Sequence, residues 1–398
     1  MKLRILTIFM LLLTWLTACT EQMPIAKDGS YESRVRGVPI GKLDCYHDFV
    51  YANSGVGSLY DTVSGDFLVT LCEDLECNGE CLYEMRDVKF AGVRGGQLYF
   101  SSRGSDGIVY ARRDFMTVKT EVLLELSKME TTPQENCYLD REWLYYNRYL
   151  LREGGDPDNM NDYLLYICRI PVDGGESEIV YSARGNSELL WMVAEDKLYT
   201  VWENTIYRID VETGETRALF NSEEAGYRSS MGHFQYLDGY LYFVAFPYGN
   251  TISLPNNTNC ATCIALIRLN VESGAWEQVI DEPIITYCLT NDAIYFAPLG
   301  IHQVSDPEKY AASDKATRYL AASSTLYACD LDGSNPHPVW TDETGLYDYV
   351  GLGFTVVDNV LYGYINCFDQ NTNSFGDRYG FAEIHFDTGE IIMANIIE

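Results

Sequence analysis

An aliphatic residue followed by tyrosine opens seven successive units along the chain: Val50-Tyr51, Leu98-Tyr99, Leu144-Tyr145, Leu198-Tyr199, Leu241-Tyr242, Ile294-Tyr295 and Leu361-Tyr362. The tyrosines are 48, 46, 54, 43, 53 and 67 residues apart. A second pair follows at Leu59-Tyr60, Val109-Tyr110, Leu165-Tyr166, Ile206-Tyr207 and Leu326-Tyr327, and degrades to Leu266-Ile267 and Glu383-Ile384 in the fifth and seventh units. A glycine turn then closes six units, at Gly65, Gly174, Gly214, Gly274, Gly333 and Gly389. Such a period marks a repeat architecture, in which one unit cannot bury its apolar face alone.

Each unit parses into four short strands. In the fifth they are predicted over 233–237, 240–246, 265–271 and 276–280, where Tyr, Val and Ile alternate with polar residues. Asp238-Gly239 and Ser273-Gly274 are hairpin turns. Four-stranded units at this spacing predict an all-β chain folded as a single seven-bladed β-propeller. The blades fall at about 42–82, 88–126, 135–182, 188–222, 232–281, 284–341 and 348–398. The first and sixth units are irregular, so six or eight blades are the alternative counts. Residues 42–52 and 390–397 are expected to meet side by side and close the ring.

Lys2 and Arg4 precede an apolar run from Ile5 to Leu16, which ends in Leu16-Thr17-Ala18-Cys19. A charged start, a short apolar stretch and small residues read as an export signal over 1–18. The run is shorter than the roughly 20 residues of a membrane span, and Glu21 follows at once. Its last four residues resemble a bacterial lipoprotein signal. That resemblance implies cleavage before Cys19, acylation of its thiol and a lipid anchor holding the protein on the extracytoplasmic face of the cell membrane. Residues 19–41 then form the acylated cysteine and a flexible tether, and 42–398 the propeller. Without Lys2 and Arg4, 26 basic residues face 58 acidic ones, a net charge of −32. Such a surface repels phosphate and excludes nucleic acid as a partner.

Cys329-Asp330-Leu331-Asp332-Gly333-Ser334-Asn335 resembles the turn of low-density-lipoprotein-receptor (YWTD) propeller blades. Pro171-Val172-Asp173-Gly174-Gly175-Glu176 is similar to the turns of TolB-like propellers. Together with the lipoprotein signal and Leu71-Cys72-Glu73-Asp74-Leu75-Glu76-Cys77, the tyrosine-rich units resemble exported lipoprotein propellers of Firmicutes, grouped as a domain of unknown function. The resemblance covers nearly all of the mature chain. It implies a propeller without known catalysis.

Cys72, Cys77 and Cys81 lack the paired C-x2-C spacing of a zinc ribbon, and no fourth ligand is near in sequence. A metal knot, a disulfide clip and plain thiols all stay open there. Cys260 and Cys263 form a C-x-x-C within a loop between strands, where a local disulfide is expected rather than a redox pair at a helix start. Cys45, Cys137, Cys168, Cys288, Cys329 and Cys367 lie on predicted strands and read as core thiols. Asp156, Asp158 and Asp162 gather oxygens like the start of a calcium loop. Met160 and Asn161 break the EF-hand pattern, so a solvated acidic loop without bound calcium or other cofactor is the expectation. The chain holds no H-E-x-x-H, G-x-S-x-G or P-loop motif. A glycosidase's carboxylate pair is set in space and leaves no spacing to read. A polysaccharide-degrading glycosidase or lyase therefore stays as the alternative to a non-catalytic binding module. An envelope assembly factor is a further one.

In a propeller, the connection between a blade's second and third strands opens on the same face as the blade-to-blade connections. These connections are short in blades one, two and four. They are long in blades three (152–163), five (249–263), six (300–323) and seven (368–379). Insertions that crowd one face of a repeat protein point to its binding face. Arg152, Lys309, Tyr310, Lys315, Arg318, Tyr319, Arg378 and Tyr379 lie in them, and Tyr227 and Arg228 in a blade-to-blade connection. Cations and aromatics on an acidic protein suit an anionic or glycan ligand, or an envelope protein partner.

Overall fold

The computed structural model describes residues 36–397 apart from 38–42, 47–48, 53–57, 62–66, 71–86 and stretches of later connections, of which 306–316 is the longest. The described part is all-β and contains no α-helix. Seven antiparallel sheets of four or five strands follow one another along the chain as the blades of a propeller. Strands are lettered a to d in chain order, from the axis outward.

Blade 1 is Leu43–Tyr46, Phe49–Ala52, Ser58–Asp61 and Phe67–Thr70. Blade 2 is Asp87–Arg94, Gln97–Arg103, Gly107–Asp114 and Thr120–Ser127. Blade 3 is Cys137–Asp140, Trp143–Leu151, Tyr163–Pro171 and Glu178–Ser182. Blade 4 is Trp191–Ala194, Lys197–Trp202, Thr205–Asp210 and Thr216–Asn221. Blade 5 is Tyr227–Leu237, Tyr240–Pro247, Ala265–Asn270 and Trp276–Gln278. Blade 6 is Ile284–Leu289, Ala293–Pro298, Thr325–Asp330 and His337–Thr341. Blade 7 is Phe354–Val357, Val360–Asp369, Ser374–His385 and Ile391–Ile397, with Tyr347–Asp348 also on the inner edge of strand b. Arg36–Gly37 adds a fifth strand to the inner edge of blade 5.

A blade is packed on both faces, so its inner strands are apolar throughout rather than alternating. Trp191-Met192-Val193-Ala194 is wholly buried, whereas the outer strand Glu178–Ser182 has no buried residue. The core is therefore a series of layers between blades. One layer joins blades 3, 4 and 5, and others join 2 with 3, 5 with 6, and 6 with 7. The aliphatic member of each repeated pair in blades 2 to 7 is buried within these layers. Each such burial contributes about 1.5–3 kcal/mol, which accounts for the same residue type at the same place in successive blades. In six blades the pairing of c with d carries an irregularity of the bulge type, which adds twist to the outer strand.

Ring closure differs from the sequence expectation. Ile391–Ile397 is the outermost strand of blade 7 and pairs with its own strand c. The contact between first and last blades is made at the axis instead, where Leu43–Tyr46 lies against Phe354–Val357. Inner strands are closest together in any radial array, so the first and last blades meet there as the others do.

A tyrosine–arginine device links successive blades. Each repeated tyrosine on strand b faces strand c, where blades 2 to 5 place Arg112, Arg169, Arg208 and Arg268 directly opposite. Arg112 donates from Nη1 to Val172 O at 2.9 Å in blade 3 and pairs with Asp173 at 3.2 Å. Arg169 reaches Glu212 of blade 4 at 3.6 Å. Arg208 donates to Val271 O of blade 5 at 2.9 Å and pairs with Glu272. At the next interface the Tyr242 hydroxyl donates to Leu331 O at 3.0 Å, and Arg268 helps hold the Asp332 carboxyl below its ordinary range, behind the hydrogen bonds from Ser334. Arg208→Ala is expected to destabilise the fold by about 1.5–3 kcal/mol, the range for a charged hydrogen bond removed from a mostly buried site. Denaturant unfolding checks this, and Arg208→Lys is expected to recover only part of the loss.

Cys137, Cys168, Cys288 and Cys329 are buried in the core, as their strand positions suggest. Burial pushes the Cys168 and Cys329 thiols each up to about 11. At pH 8 both stay protonated as well as enclosed. Iodoacetamide at pH 8 is expected to leave these four unmodified in the native protein and to label them once guanidinium unfolds it. Labelling of Cys168 or Cys329 in the folded state would contradict this packing.

Candidate functional site: the hairpin face

The two faces of the propeller are built by different turn chemistry. Opposite the long connections, the a–b turns are tight. Glu195 and Asp196 in blade 4 have φ of 52° and 58°, and Asp238 and Gly239 in blade 5 have 47° and 83°. Positive φ at both central residues matches the two-residue hairpin turn whose twist suits a sheet.

On the other face, the insertions of blades 5 and 6 contain antiparallel hairpins, and those of blades 3 and 7 lengthen strands b and c. Blade 5 adds Thr251–Ser253 paired with Cys260–Thr262. Blade 6 adds Gly300–Ser305 paired with Thr317–Ala322, with Gly300 opposite Ala322 and Ser305 opposite Thr317. Blade 7 prolongs its strands until Asp369 faces Ser374. Blade 3 prolongs its own to the Leu151–Tyr163 pair. The hairpin of blade 4 ends instead in the two residues Glu203 and Asn204.

Above blade 3 the chain closes on itself. The Asp162 carboxylate is buried, forms an ion pair with Arg152 and accepts the Asp156 N–H at 2.8 Å. The Arg152 N–H donates to Asp162 O at 2.8 Å. Of the three loop aspartates, Asp162 organises the loop, Asp156 offers its amide to it, and Asp158 lies outside the described residues. Among the described residues no group of three His, Cys, Asp or Glu is placed to hold a metal ion. Arg152 stays half-exposed while held by Asp162.

The other expected binding residues divide. Tyr227 is 7% exposed, and its hydroxyl donates to Gln278 at 3.0 Å inside the blade 4–5 layer. It is a core residue, and its place in the binding set is withdrawn. Arg228, the next residue, is exposed. Arg318 and Tyr319 stand on the outgoing strand of the blade 6 hairpin, opposite Val304 and Gln303. Arg378 and Tyr379 stand on strand c of the adjacent blade 7. Lys309, Tyr310, Lys315 and Cys263 lie outside the described residues, and Cys260 is on the blade 5 hairpin. The structure thus puts two Arg-Tyr pairs on neighbouring blades and keeps Arg152 on a blade well away from them.

Two features of this face had no sequence signal. Glu130, in the connection from blade 2 to blade 3, forms an ion pair with Arg148 and accepts the Ser127 hydroxyl at 2.8 Å and N–H at 3.1 Å. Burial would raise its carboxyl, but Ser127 and Arg148 outweigh that and hold it below the ordinary range. Met129 and Leu151 are exposed nearby, and Tyr248 in blade 5 is 63% exposed. On blade 5 strand a, His233 is exposed with φ of 54°, at an irregularity between Gly232 and Gln235. Left-handed backbone at a non-glycine residue persists only where the surroundings impose it.

No family model and no curated protein matches the chain. Solved structures match its fold. A Vibrio parahaemolyticus oligogalacturonate lyase aligns with a TM-score of 0.50 at 9% identity, over 88% of this chain and 97% of that one. A prolyl endopeptidase aligns with 0.54 at 10% identity, over 91% of this chain and 50% of the other. A Pyrococcus horikoshii acylaminoacyl peptidase aligns with 0.50 at 11% identity, over 93% and 54%. At these identities the likeness is one of fold, a β-propeller.

Proposed function

We propose that the chain is an exported, lipid-anchored propeller that binds an anionic or glycan ligand, or an envelope protein, through its hairpin face. The observation that carries this reading is asymmetry: four elaborated b–c connections share one face, while the described turns of the other are tight. Neutral drift of loop length would scatter over both faces, because each doubling of a loop costs only about 0.6 kcal/mol wherever it falls. Arg318-Tyr319 and Arg378-Tyr379 stand on strands of blades 6 and 7, cations and aromatics in a chain of net charge −30. Replacing 300–323 by a short Gly-Ser turn is expected to leave the thermal midpoint nearly unchanged and to abolish capture of glycans and envelope proteins by residues 20–398. Unchanged capture would remove the face assignment, and unfolding would make the hairpin structural.

A lyase is the second reading. It is favoured by the alignment with oligogalacturonate lyase over nearly the whole of that enzyme. Incubation with oligogalacturonate, followed for unsaturated product by ultraviolet absorbance, separates a catalyst from a binder.

A further inference from the structure

Arg36–Gly37 pairs antiparallel with blade 5 strand a, Arg36 opposite Tyr236 and Gly37 opposite Gln235. It also lies against blade 4 strand a. Strand a is innermost, so the edge it covers faces the central channel. An open edge presents backbone N–H and C=O groups to any extended segment that reaches it. Two further groups stand on the strands that flank Arg36–Gly37. Gln235 Oε1 and Trp191 Nε1 have no hydrogen-bond partner among the described residues, and their side chains are 4% and 0% exposed. An acceptor and a donor left so in a packed interior each call for a complement. The main chain on either side of Arg36–Gly37 carries both kinds. The segment's composition also fits: 30–42 holds Arg34, Arg36 and Lys42 against Glu32, a net charge of +2 on a strongly acidic protein.

We propose that the channel edge of blade 5 is the docking site of the chain's own N-terminal arm, residues 30–42, and that this docking decides which face of the propeller is turned to the membrane. Blade 5 strand a runs from the hairpin face at Tyr227, opposite Pro247, to the tight turn at Asp238-Gly239. Because Arg36–Gly37 runs antiparallel to it, Arg36 lies toward the tight-turn face and Gly37 toward the hairpins. The sixteen residues 20–35 between Cys19 and Arg36 reach at most about 55 Å when fully extended. Given acylation of Cys19, which is part of the functional reading above, the tight-turn face lies toward the bilayer and the hairpins point away from it. The docking itself does not depend on acylation.

In the full chain, Gly37→Cys combined with Gln235→Cys is expected to form a disulfide on mild oxidation, since directly opposed Cα atoms of antiparallel strands lie about 4.5–5.5 Å apart. Peptide mapping distinguishes this bond from pairs among the native cysteines. Gly37→Cys with Thr355→Cys, on blade 7 strand a, is expected to give none. Absence of the first bond, or equal yields of both, overturns the docking. Adding Cys19→Ser is expected to release the protein from membranes with the bond retained. Membrane retention of that variant removes the acylation reading and leaves the docking result standing. Loss of the bond on release overturns docking as an intrinsic property of the chain. For orientation, a fluorescent residue at Gly174 or at Glu153, on opposite faces of blade 3, is read by energy transfer to acceptor lipids in vesicles bearing the acylated protein. Stronger transfer from position 174 is expected, and equal or reversed transfer overturns the orientation.

Discussion

Phe243→Ala is expected to lower the unfolding free energy by about 3–5 kcal/mol, the range for deleting a buried phenylalanine ring. Phe243 sits on blade 5 strand b with no exposed surface. Its ring stands edge-on to Phe220 of blade 4 at 5.1 Å and to Phe234 of its own blade at 5.6 Å. The cavity would open across an interface between two sheets. Each sheet is held on its far side by another blade, so neither can move to fill the space. In denaturant the midpoint should fall while the slope stays the same. Phe243→Leu, which keeps most of the volume, is expected to lose under about 1.5 kcal/mol. A loss below about 1 kcal/mol for the alanine variant would mean that the blade 4–5 layer is not packed as described.

Gly333→Ala is expected to lose about 3 kcal/mol or more, and Gly174→Ala about 1–2 kcal/mol, although the two glycines occupy equivalent turns. Both have φ of 83°, where any L side chain is strained. A Cβ on Gly174 meets nothing within 4 Å. A Cβ on Gly333 would stand 2.0 Å from Val279 O, on the neighbouring blade 5. A backbone oxygen cannot be pushed aside as a flexible side chain can, so this turn of blade 6 must separate from blade 5 or distort it. Thermal unfolding of the two variants side by side isolates the contact. Equal losses would show that only the backbone angle matters.

The blades were legible because a sheet buried on both faces repeats its residue choice, and the Leu-Tyr pair returns wherever strand b enters a layer between blades. The hairpins were legible in position and not in form. Gly300–Ser305 reads GIHQVS and Thr317–Ala322 reads TRYLAA, neither with the strict apolar–polar alternation that marks a strand. Only their pairing with each other makes them strands. Tyr227 and Arg228 are neighbours in sequence and part company in the fold. On a strand, successive side chains take opposite sides, so one turned inward and the other out. The arginine device did leave a trace, an acid four residues after arginine at Arg169 and Asp173, Arg208 and Glu212, and Arg268 and Glu272. The partner of each arginine lies one repeat further on, which spacing within a unit conceals. Arg36–Gly37 is too short for periodicity to register at all.

The arginine device also makes the ring mechanically uneven. It latches blade 2 to 3, 3 to 4, 4 to 5 and, with Tyr242, 5 to 6. Where the next arginines would stand, the chain has Ala328 in blade 6, Glu383 in blade 7 and Leu59 in blade 1, each opposite its tyrosine. Four blade junctions therefore share this latch, and the seam of the other three, 6 to 7, 7 to 1 and 1 to 2, has no arginine at this position. The first and last blades meet within that seam, at Leu43–Tyr46 and Phe354–Val357, and the elaborated connections of blades 6 and 7 rise beside it. A load on those connections would spread the seam like the gap of a split washer, while the latched arc rides through as one piece.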